Sequence, residues 1–67
     1  MKSVLKVLEM RTLEDVNKIR QAIAYNEGVV ACEVSSEKHE VSVVYDNYFL
    51  KLEQLIDCVE DLGYTVL

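Results

Sequence analysis

Apolar and polar residues alternate in four short runs of the chain, and this period of two predicts strands. The runs span residues 4–8, 29–35, 41–45 and 64–67. In the first run we expect Leu5 and Val7 to face the core. In the third, Val41, Val43 and Tyr45 share one face. The polar residues 36–40 between the second and third runs are expected to form a hairpin.

Between these runs, apolar residues recur at the spacing of a helix. The first helix is predicted over residues 13–25, with Val16, Ile19 and Ile23 on its inner face. The second is predicted from the stripe Leu52, Leu55, Ile56, Val59 and Leu62. A glycine follows each helix, Gly28 after the first and Gly63 after the second, and each suits the left-handed conformation that ends a helix.

The predicted order is strand, helix, strand, strand, helix, strand, and it belongs to the α+β class. It is the order of a ferredoxin-like βαββαβ plait, in which two helices cover one face of an antiparallel four-stranded sheet. The 67 residues form a single domain. Following the chain through this plait gathers five residues at one end, called the upper end here: Met10, Thr12, Asp15, His39 and Tyr64. The lower end gathers residues 26–28 and 46–51.

The two helices are expected to begin differently. Thr12 can cap the first helix, and Asp15 can reach back to the backbone of Thr12 as in a capping box. Glu14 and Asp15 also place negative charge in the first turn, where the helix dipole favours it. The second helix follows Lys51, which is a poor N-cap residue.

The stretch from Glu9 to Ile19 resembles the metal-binding motif of the heavy-metal-associated domain, the domain of copper chaperones and copper-pumping P-type ATPases. That family has Gly-Met-Thr-Cys-x-x-Cys-Val-x-x-Ile at this junction, and here Met10, Val16, Lys18 and Ile19 fit. The resemblance covers the whole chain. It extends to Gly28-Val29, Tyr45-Asp46, Leu55-Ile56 and Asp61-Leu62-Gly63-Tyr64.

What departs from the family is the metal pair. The resemblance implies copper or another heavy metal as the ligand, bound by the two cysteines of the motif. In this chain those positions hold Thr12 and Asp15, and Glu9 stands where the family has glycine. A hydroxyl and a single carboxylate are poor ligands for a soft ion. Hard cations are also disfavoured, because calcium needs six to eight oxygens and Glu14 should point away from Asp15. No metal or cofactor is therefore expected.

Two functions follow from this departure. The first is a degenerate heavy-metal-associated domain that acts as a protein-interaction or regulatory module. The alternative is a copper-chaperone-like carrier that uses other ligands or the thiols of a partner. Catalysis is not expected, because no nucleophile has a base and an orienting partner and no glycine-rich phosphate loop is present. Cys32 and Cys58 are expected to fill core space, and His39 is expected to be solvated.

Composition narrows the class of partner. The formal net charge of −5 argues against binding to nucleic acid or to an anionic membrane surface, whereas a protein partner fits. No apolar run reaches the roughly 20 residues of a membrane helix, and the charged N-terminal stretch is unlike a signal peptide. The chain is therefore expected to be a cytoplasmic protein with reduced thiols. The oligomeric state is left open.

A few side chains are candidates for contact with a partner. Met10 and Tyr64 lie at the upper end, and Leu13 occupies a position that the family leaves exposed beside its metal. Tyr48, Phe49 and Leu50 precede the second helix where the family is usually polar. We expect one or two of these three to fold under as core and the remainder to form a contact patch. An exposed edge of the second strand is the other place where association is expected.

Overall fold

The computed structural model describes all 67 residues, which form three strands and two helices. In chain order these are β1 (Lys2–Lys6), α1 (Leu13–Ala24), β2 (Val29–Ser35), β3 (Glu40–Tyr45) and α2 (Leu52–Glu60). The strands pair antiparallel in the order β1-β3-β2, and α1 packs against both β2 and α2. The predicted order of the first five elements and the antiparallel sheet are confirmed.

The prediction of four strands is wrong, because residues 64–67 do not form a regular strand. They run antiparallel beside β1 and meet it in a single bridge between Val7 and Val66. The amide of Leu8 donates to the carbonyl of Thr65 at 3.1 Å, but the amide of Thr65 does not complete the pair. It donates instead to the side chain of Glu9 at 2.6 Å. A side-chain acceptor has thus replaced one rung of the ladder.

The core contains apolar side chains alone. This agrees with the alternating pattern of the strands and the helical spacing of the helices. Twelve hydrophobic residues are buried and no polar or charged residue is. The sheet contributes Leu5, Val7, Val41, Val43 and Tyr45, and the helices contribute Val16, Ile19, Ile23, Leu55 and Val59; Met10 and Leu50 complete the set. The ends of the stripe on α2 were predicted wrongly, since Leu52 and Leu62 are exposed. Leu52 is the first residue of α2, and Leu62 lies two residues beyond its last.

Both glycines take the left-handed conformation that was predicted, with φ of 100° at Gly28 and 99° at Gly63. At Gly28 packing adds a second requirement. A Cβ there would lie 3.1 Å from the Cβ of Phe49, because the turn after α1 rests on the loop before α2. The lower end is therefore built by direct contact between these two loops.

Candidate functional site

The loop between β1 and α1 begins the helix with a complete capping box. Thr12 has an extended backbone, and its hydroxyl accepts from the amide of Asp15 at 3.1 Å. In return, Oδ2 of Asp15 accepts from the amides of Thr12 at 3.0 Å and Arg11 at 3.1 Å. Three backbone amides that a helix start would otherwise leave unpaired are satisfied within the loop itself. The predicted roles of Thr12 and Asp15 as capping residues are confirmed.

The other oxygen of the same carboxylate joins the helix start to the end of the chain. The hydroxyl of Tyr64 donates to Oδ1 of Asp15 at 2.5 Å. Asp15 therefore accepts from three donors, two backbone amides and one phenol. The expected gathering of Thr12, Asp15 and Tyr64 at the upper end is confirmed, and it takes the form of one hydrogen-bonded group.

A second carboxylate holds the neighbouring residue of the same terminal segment. Oε1 of Glu9 accepts from the amide of Thr65 at 2.6 Å, and Oε2 accepts from the hydroxyl of Thr65 at 2.9 Å. Residues 64 and 65 are thus each fastened to the loop by an acidic side chain. We call the four residues Glu9, Asp15, Tyr64 and Thr65 the carboxylate clamp.

The clamp changes the acidity of its members in the directions that hydrogen bonding dictates. The bond from Tyr64, followed by the amides of Arg11 and Thr12, holds the pKa of Asp15 far below its usual value. The same bond raises the pKa of Tyr64 to about 12, because losing the phenol proton would set two anions side by side. Thr65 lowers the pKa of Glu9, first through its amide and then through its hydroxyl. Asp15 and Glu9 are therefore anionic acceptors at neutral pH.

The candidate contact residues are divided between core and surface. Met10 is fully buried in the core, so it offers no surface to a partner. Leu13 at the upper end is 75% exposed, and Tyr64 is half-buried beside it in the clamp. At the lower end Tyr48 and Phe49 are exposed and pack edge to face with ring centroids 5.5 Å apart, while Leu50 is buried. One of the three residues before α2 has thus folded under as core, as expected.

The thiols and the imidazole make no hydrogen bond with the clamp. Cys32 on β2 packs against the core, and burial raises the pKa of its thiol. The thiol of Cys58 on α2 donates to the carbonyl of Ala22 on α1 at 3.3 Å. His39 is half-buried at a φ of 55°, and its Nδ1 is buried without a hydrogen-bond partner. The expectation that His39 is solvated is wrong, because the tight hairpin turns its ring against the protein.

The upper end does not have the donors that a soft metal requires. Its oxygens belong to a hydroxyl and to carboxylates that already accept hydrogen bonds, and neither cysteine lies in the loop. No three His, Cys, Asp or Glu residues of the chain are grouped closely enough to hold a metal ion. The residues present therefore do not fit a bound copper ion.

Comparison with known proteins decides the family. The copper chaperone CopZ of Staphylococcus haemolyticus is 38% identical to this chain over 50 residues, which are 75% of this chain and 74% of that protein. The chain belongs to the copper-chaperone family. The copper chaperone CopZ of Staphylococcus aureus is also 38% identical, over 48 residues, 72% of this chain and 71% of that protein. No protein-family model matches the chain.

Solved structures of the copper-chaperone family extend the similarity to the whole fold. A CopZ metallochaperone superposes with a TM-score of 0.97 over 100% of both chains at 30% sequence identity. The yeast copper transporter domain Ccc2a, determined in apo and Cu(I) states, has a TM-score of 0.91 at 26% identity over 97% of this chain and 89% of that one. The fold is thus the ferredoxin-like heavy-metal-associated fold that the sequence predicted. Neither helix has the length and apolar character needed to cross a membrane.

The carboxylate clamp is the part of the site that sequence reasoning missed. The predicted topology places Asp15 and Tyr64 at the same end of the fold. Because a phenol donates and a carboxylate accepts, their hydrogen bond could have been predicted. Glu9 gave a weaker signal. In the sequence Glu9 stands out only as a departure from the family's glycine. An acidic side chain beside an antiparallel terminal segment can, however, accept a hydrogen bond from an amide of that segment.

Proposed function

We propose that this chain is a copper-chaperone-family domain whose loop holds no soft metal and that acts by binding a protein partner. One observation carries the proposal. Asp15, at a position where the family resemblance implies a metal-binding cysteine, accepts from Tyr64, Thr12 and Arg11. This position thus carries a carboxylate that is already hydrogen-bonded within the protein, and neither cysteine lies in the loop.

The exposed apolar side chains support a contact role. Leu13 at the upper end and the Tyr48–Phe49 pair at the lower end are largely solvent-exposed. Aromatic residues are enriched where protein surfaces meet. A net charge of −5 disfavours nucleic acid, which leaves another protein as the class of partner.

A second candidate function is the transport of copper as cargo with thiols supplied by the partner. Similarity to proteins named copper chaperones favours it. In this case the partner brings two or more sulfur ligands to the upper end, and this chain contributes shape and orientation. Copper would then be bound by the complex and not by the chain alone.

The experiment is a titration of the reduced protein with monovalent copper against a competing chelator, in the absence of any partner. We expect the chelator to retain the copper. Binding of one copper per chain tighter than micromolar would contradict the proposal, since it would establish a carrier with its own ligands. Copper retained only after a thiol-bearing partner is added would instead establish the second candidate.

A matched variant makes a negative result informative. Thr12→Cys with Asp15→Cys places two thiols three residues apart at a helix N-terminus, and Glu9→Gly frees the loop. This triple variant should compete for copper while the parent does not. A folded triple variant that ignores copper would mean that this loop backbone differs from a metal-binding one, and the proposed replacement of metal by carboxylate would lose its basis.

A further inference from the structure

Along β1 the backbone amides and carbonyls point alternately toward β3 and toward the opposite edge. Hydrogen bonds at both ends of the strand show which residues point in which direction. The N-terminal ammonium of Met1 donates to the carbonyl of Tyr45, and the amide of Tyr45 donates to the carbonyl of Met1, both at 2.8 Å. The amide of Val7 donates to the carbonyl of His39 on the same side. Odd-numbered residues of β1 therefore pair with β3. Lys2, Val4 and Lys6 direct their amides and carbonyls to the opposite edge.

The terminal segment covers only one end of this edge. The carbonyl of Lys6 accepts from the amide of Leu67 at 3.0 Å, and the amide of Leu8 donates to Thr65. The amides and carbonyls of Lys2 and Val4 have no such partner, and Val4 is 53% exposed. An extended segment continuing in the direction of residues 64–67 would pair with both residues. Unpaired groups of this kind are a template for strand addition.

A depression lies on the helix side of the same edge. It has a volume of about 470 Å³ and is bounded by the start of β1, the end of β3 and the first turn of α2. The volume is within the range of ligand-sized clefts, about 300–1,000 Å³. Ser3, which lies between Lys2 and Val4, lines the depression together with Tyr45, Leu50 and Leu52. A residue opposite Ser3 on an added strand would place its side chain there.

The charges around this edge favour an acidic partner. Lys2 and Lys6 share the outer face of β1, where Glu40 of β3 stands opposite Lys6 and Val44 stands opposite Lys2, and Lys51 lines the depression. The single ion pair of the protein joins Lys18 to Glu14, so these three lysines have no carboxylate partner within 4.0 Å. Glu53 is the one acidic residue that lines the depression. A second copy of the chain is disfavoured, since antiparallel pairing of two β1 edges about Val4 sets Lys2 opposite Lys6.

We infer that the free edge of β1 is a docking site for an extended acidic segment of a partner protein. The segment pairs with Lys2 and Val4 antiparallel to β1, inserts an apolar side chain beside Ser3 into the depression, and sets an acidic side chain opposite Lys2. The inference rests on the proposed function in assuming a protein partner, and it adds the surface and the chemistry of what binds.

The probe is the acetylated and amidated peptide Thr-Val-Leu-Glu-Thr-Glu, in which leucine falls opposite Ser3 and the first glutamate opposite Lys2. At millimolar peptide, amide NMR spectra of the full chain should shift at residues 1–5 and 50–53. The amides of Lys2 and Val4 should become protected from hydrogen exchange. Peptides with lysine for both glutamates, or aspartate for leucine, should bind more weakly. No shift at these residues, or shifts confined to β2 or to the upper end, would overturn the inference.

Variants of the chain sharpen the test. Lys2→Glu should weaken binding of the glutamate peptide about fivefold and strengthen binding of the lysine peptide by a similar factor. Lys38→Glu changes the net charge equally at the other end of the molecule and should change neither. Val4→Pro removes an amide that does not bond to β3. With this variant the peptide should no longer protect the amide of Lys2 from hydrogen exchange, whereas with Val4→Thr it still should. If Val4→Pro does not fold, the Lys2→Glu reversal decides the matter, and equal responses of Lys2→Glu and Lys38→Glu would refute the site.

Failure here and failure of the proposed function give different results. A chain that binds copper on its own refutes the proposed function whatever the peptide does. A chain that ignores both copper and the peptide refutes only the β1 edge as the docking surface. Sedimentation that detects a dimer strengthened by Lys2→Glu, which sets a carboxylate opposite Lys6 of the second copy, would assign the edge to a second copy and overturn the acidic-partner inference.

Discussion

The two helices of this domain follow equivalent strands, yet their first turns are built differently. At the start of α1, Thr12 and Asp15 satisfy each other's backbone amides, and Asp15 also accepts from Tyr64. At the start of α2, the amide of Lys51 donates to the side chain of Gln54 at 2.8 Å, and no side chain of residue 51 returns the bond. One helix start is closed by its own side chains, and the other borders an open depression.

This difference gives the molecule one helix start with satisfied backbone amides and one with an open depression beside it. The resemblance implies that the loop before the first helix binds the metal in the family. Here that loop is stabilised from within, and Leu13 is its most exposed apolar side chain. The backbone groups of Lys2 and Val4, which have no partners, lie at the opposite end, on β1 beside the uncapped helix. We therefore expect strand addition at the lower end.

The largest expected effect comes from the core, where we expect the two helices to contribute equally to stability. Ile19 on α1 and Leu55 on α2 are both fully buried. Replacing either with alanine should cost about 2–5 kcal/mol of unfolding free energy, a large part of what so small a domain has. Chemical denaturation of each variant measures this, with Leu13→Ala as an exposed control expected to change little. Near-parental stability for either core variant would mean that its helix packs loosely.

Next in size is the cap of α1. Thr12→Ala removes the hydroxyl that accepts from Asp15, and it should cost about 0.5–2 kcal/mol. Because the cost comes from the cap, thermal melts with and without added copper should give the same loss. A loss that appears only with copper present would revive ligation at Thr12. Thr12→Ser keeps the hydroxyl and should retain most of the stability.

The uncapped start of α2 gives the converse prediction. Lys51→Ser introduces a hydroxyl where the backbone is already extended, with φ of −107° and ψ of 156°. With Gln54 already accepting from residue 51, the change would complete a capping box and should raise stability by about 0.5–1 kcal/mol. Denaturation of Lys51→Ala separates the gain of a cap from the loss of a lysine, since alanine should give no gain. An equal gain in both variants would show that the lysine charge, and not the missing cap, was the defect.

The sequence predicted the parts of this fold that depend on periodicity and local chemistry. The apolar stripes gave Ile19, Ile23, Leu55 and Val59 as core, and the capping box followed from Thr12 and Asp15 alone. The terminal segment could not be predicted in the same way. Its alternation is that of a strand, but the competing acceptor is Glu9, a residue 56 positions away in sequence. Such a competition is visible only once the topology has brought both residues together.

The free edge of β1 illustrates the same limit. Nothing in Lys2-Ser3-Val4 distinguishes a central strand from an edge strand, because the alternation is the same in both. What leaves Lys2 and Val4 unpaired is that the terminal segment reaches β1 only at Lys6 and Leu8. The sequence predicts an exposed edge at β2, where one also exists. Its prediction of a full strand at residues 64–67 would cover the edge of β1.

The smallest expected effect is the dependence of stability on pH, since the clamp lies at the surface and solvent screens its charges. Asp15 has a lowered pKa, so its contribution is fully present above its unfolded value near 4 and is lost as the pH falls below it. Tyr64 has a pKa raised to about 12 from 10.0, so its contribution is present below pH 10 and lost as the pH rises through 12. Stability should therefore be level through the neutral range and decline on both sides. Tyr64→Phe removes the shared bond, so denaturation midpoints of this variant should lose the part of the alkaline decline that Tyr64 causes between pH 10 and 12, while the part caused by the raised pKa of Cys32 remains. Asp15→Asn should lose the same alkaline decline and also weaken the acidic one, because Asp15 is the partner of Tyr64. A parental alkaline decline in both variants would mean that the Tyr64–Asp15 bond contributes nothing to the closed start of α1 in solution.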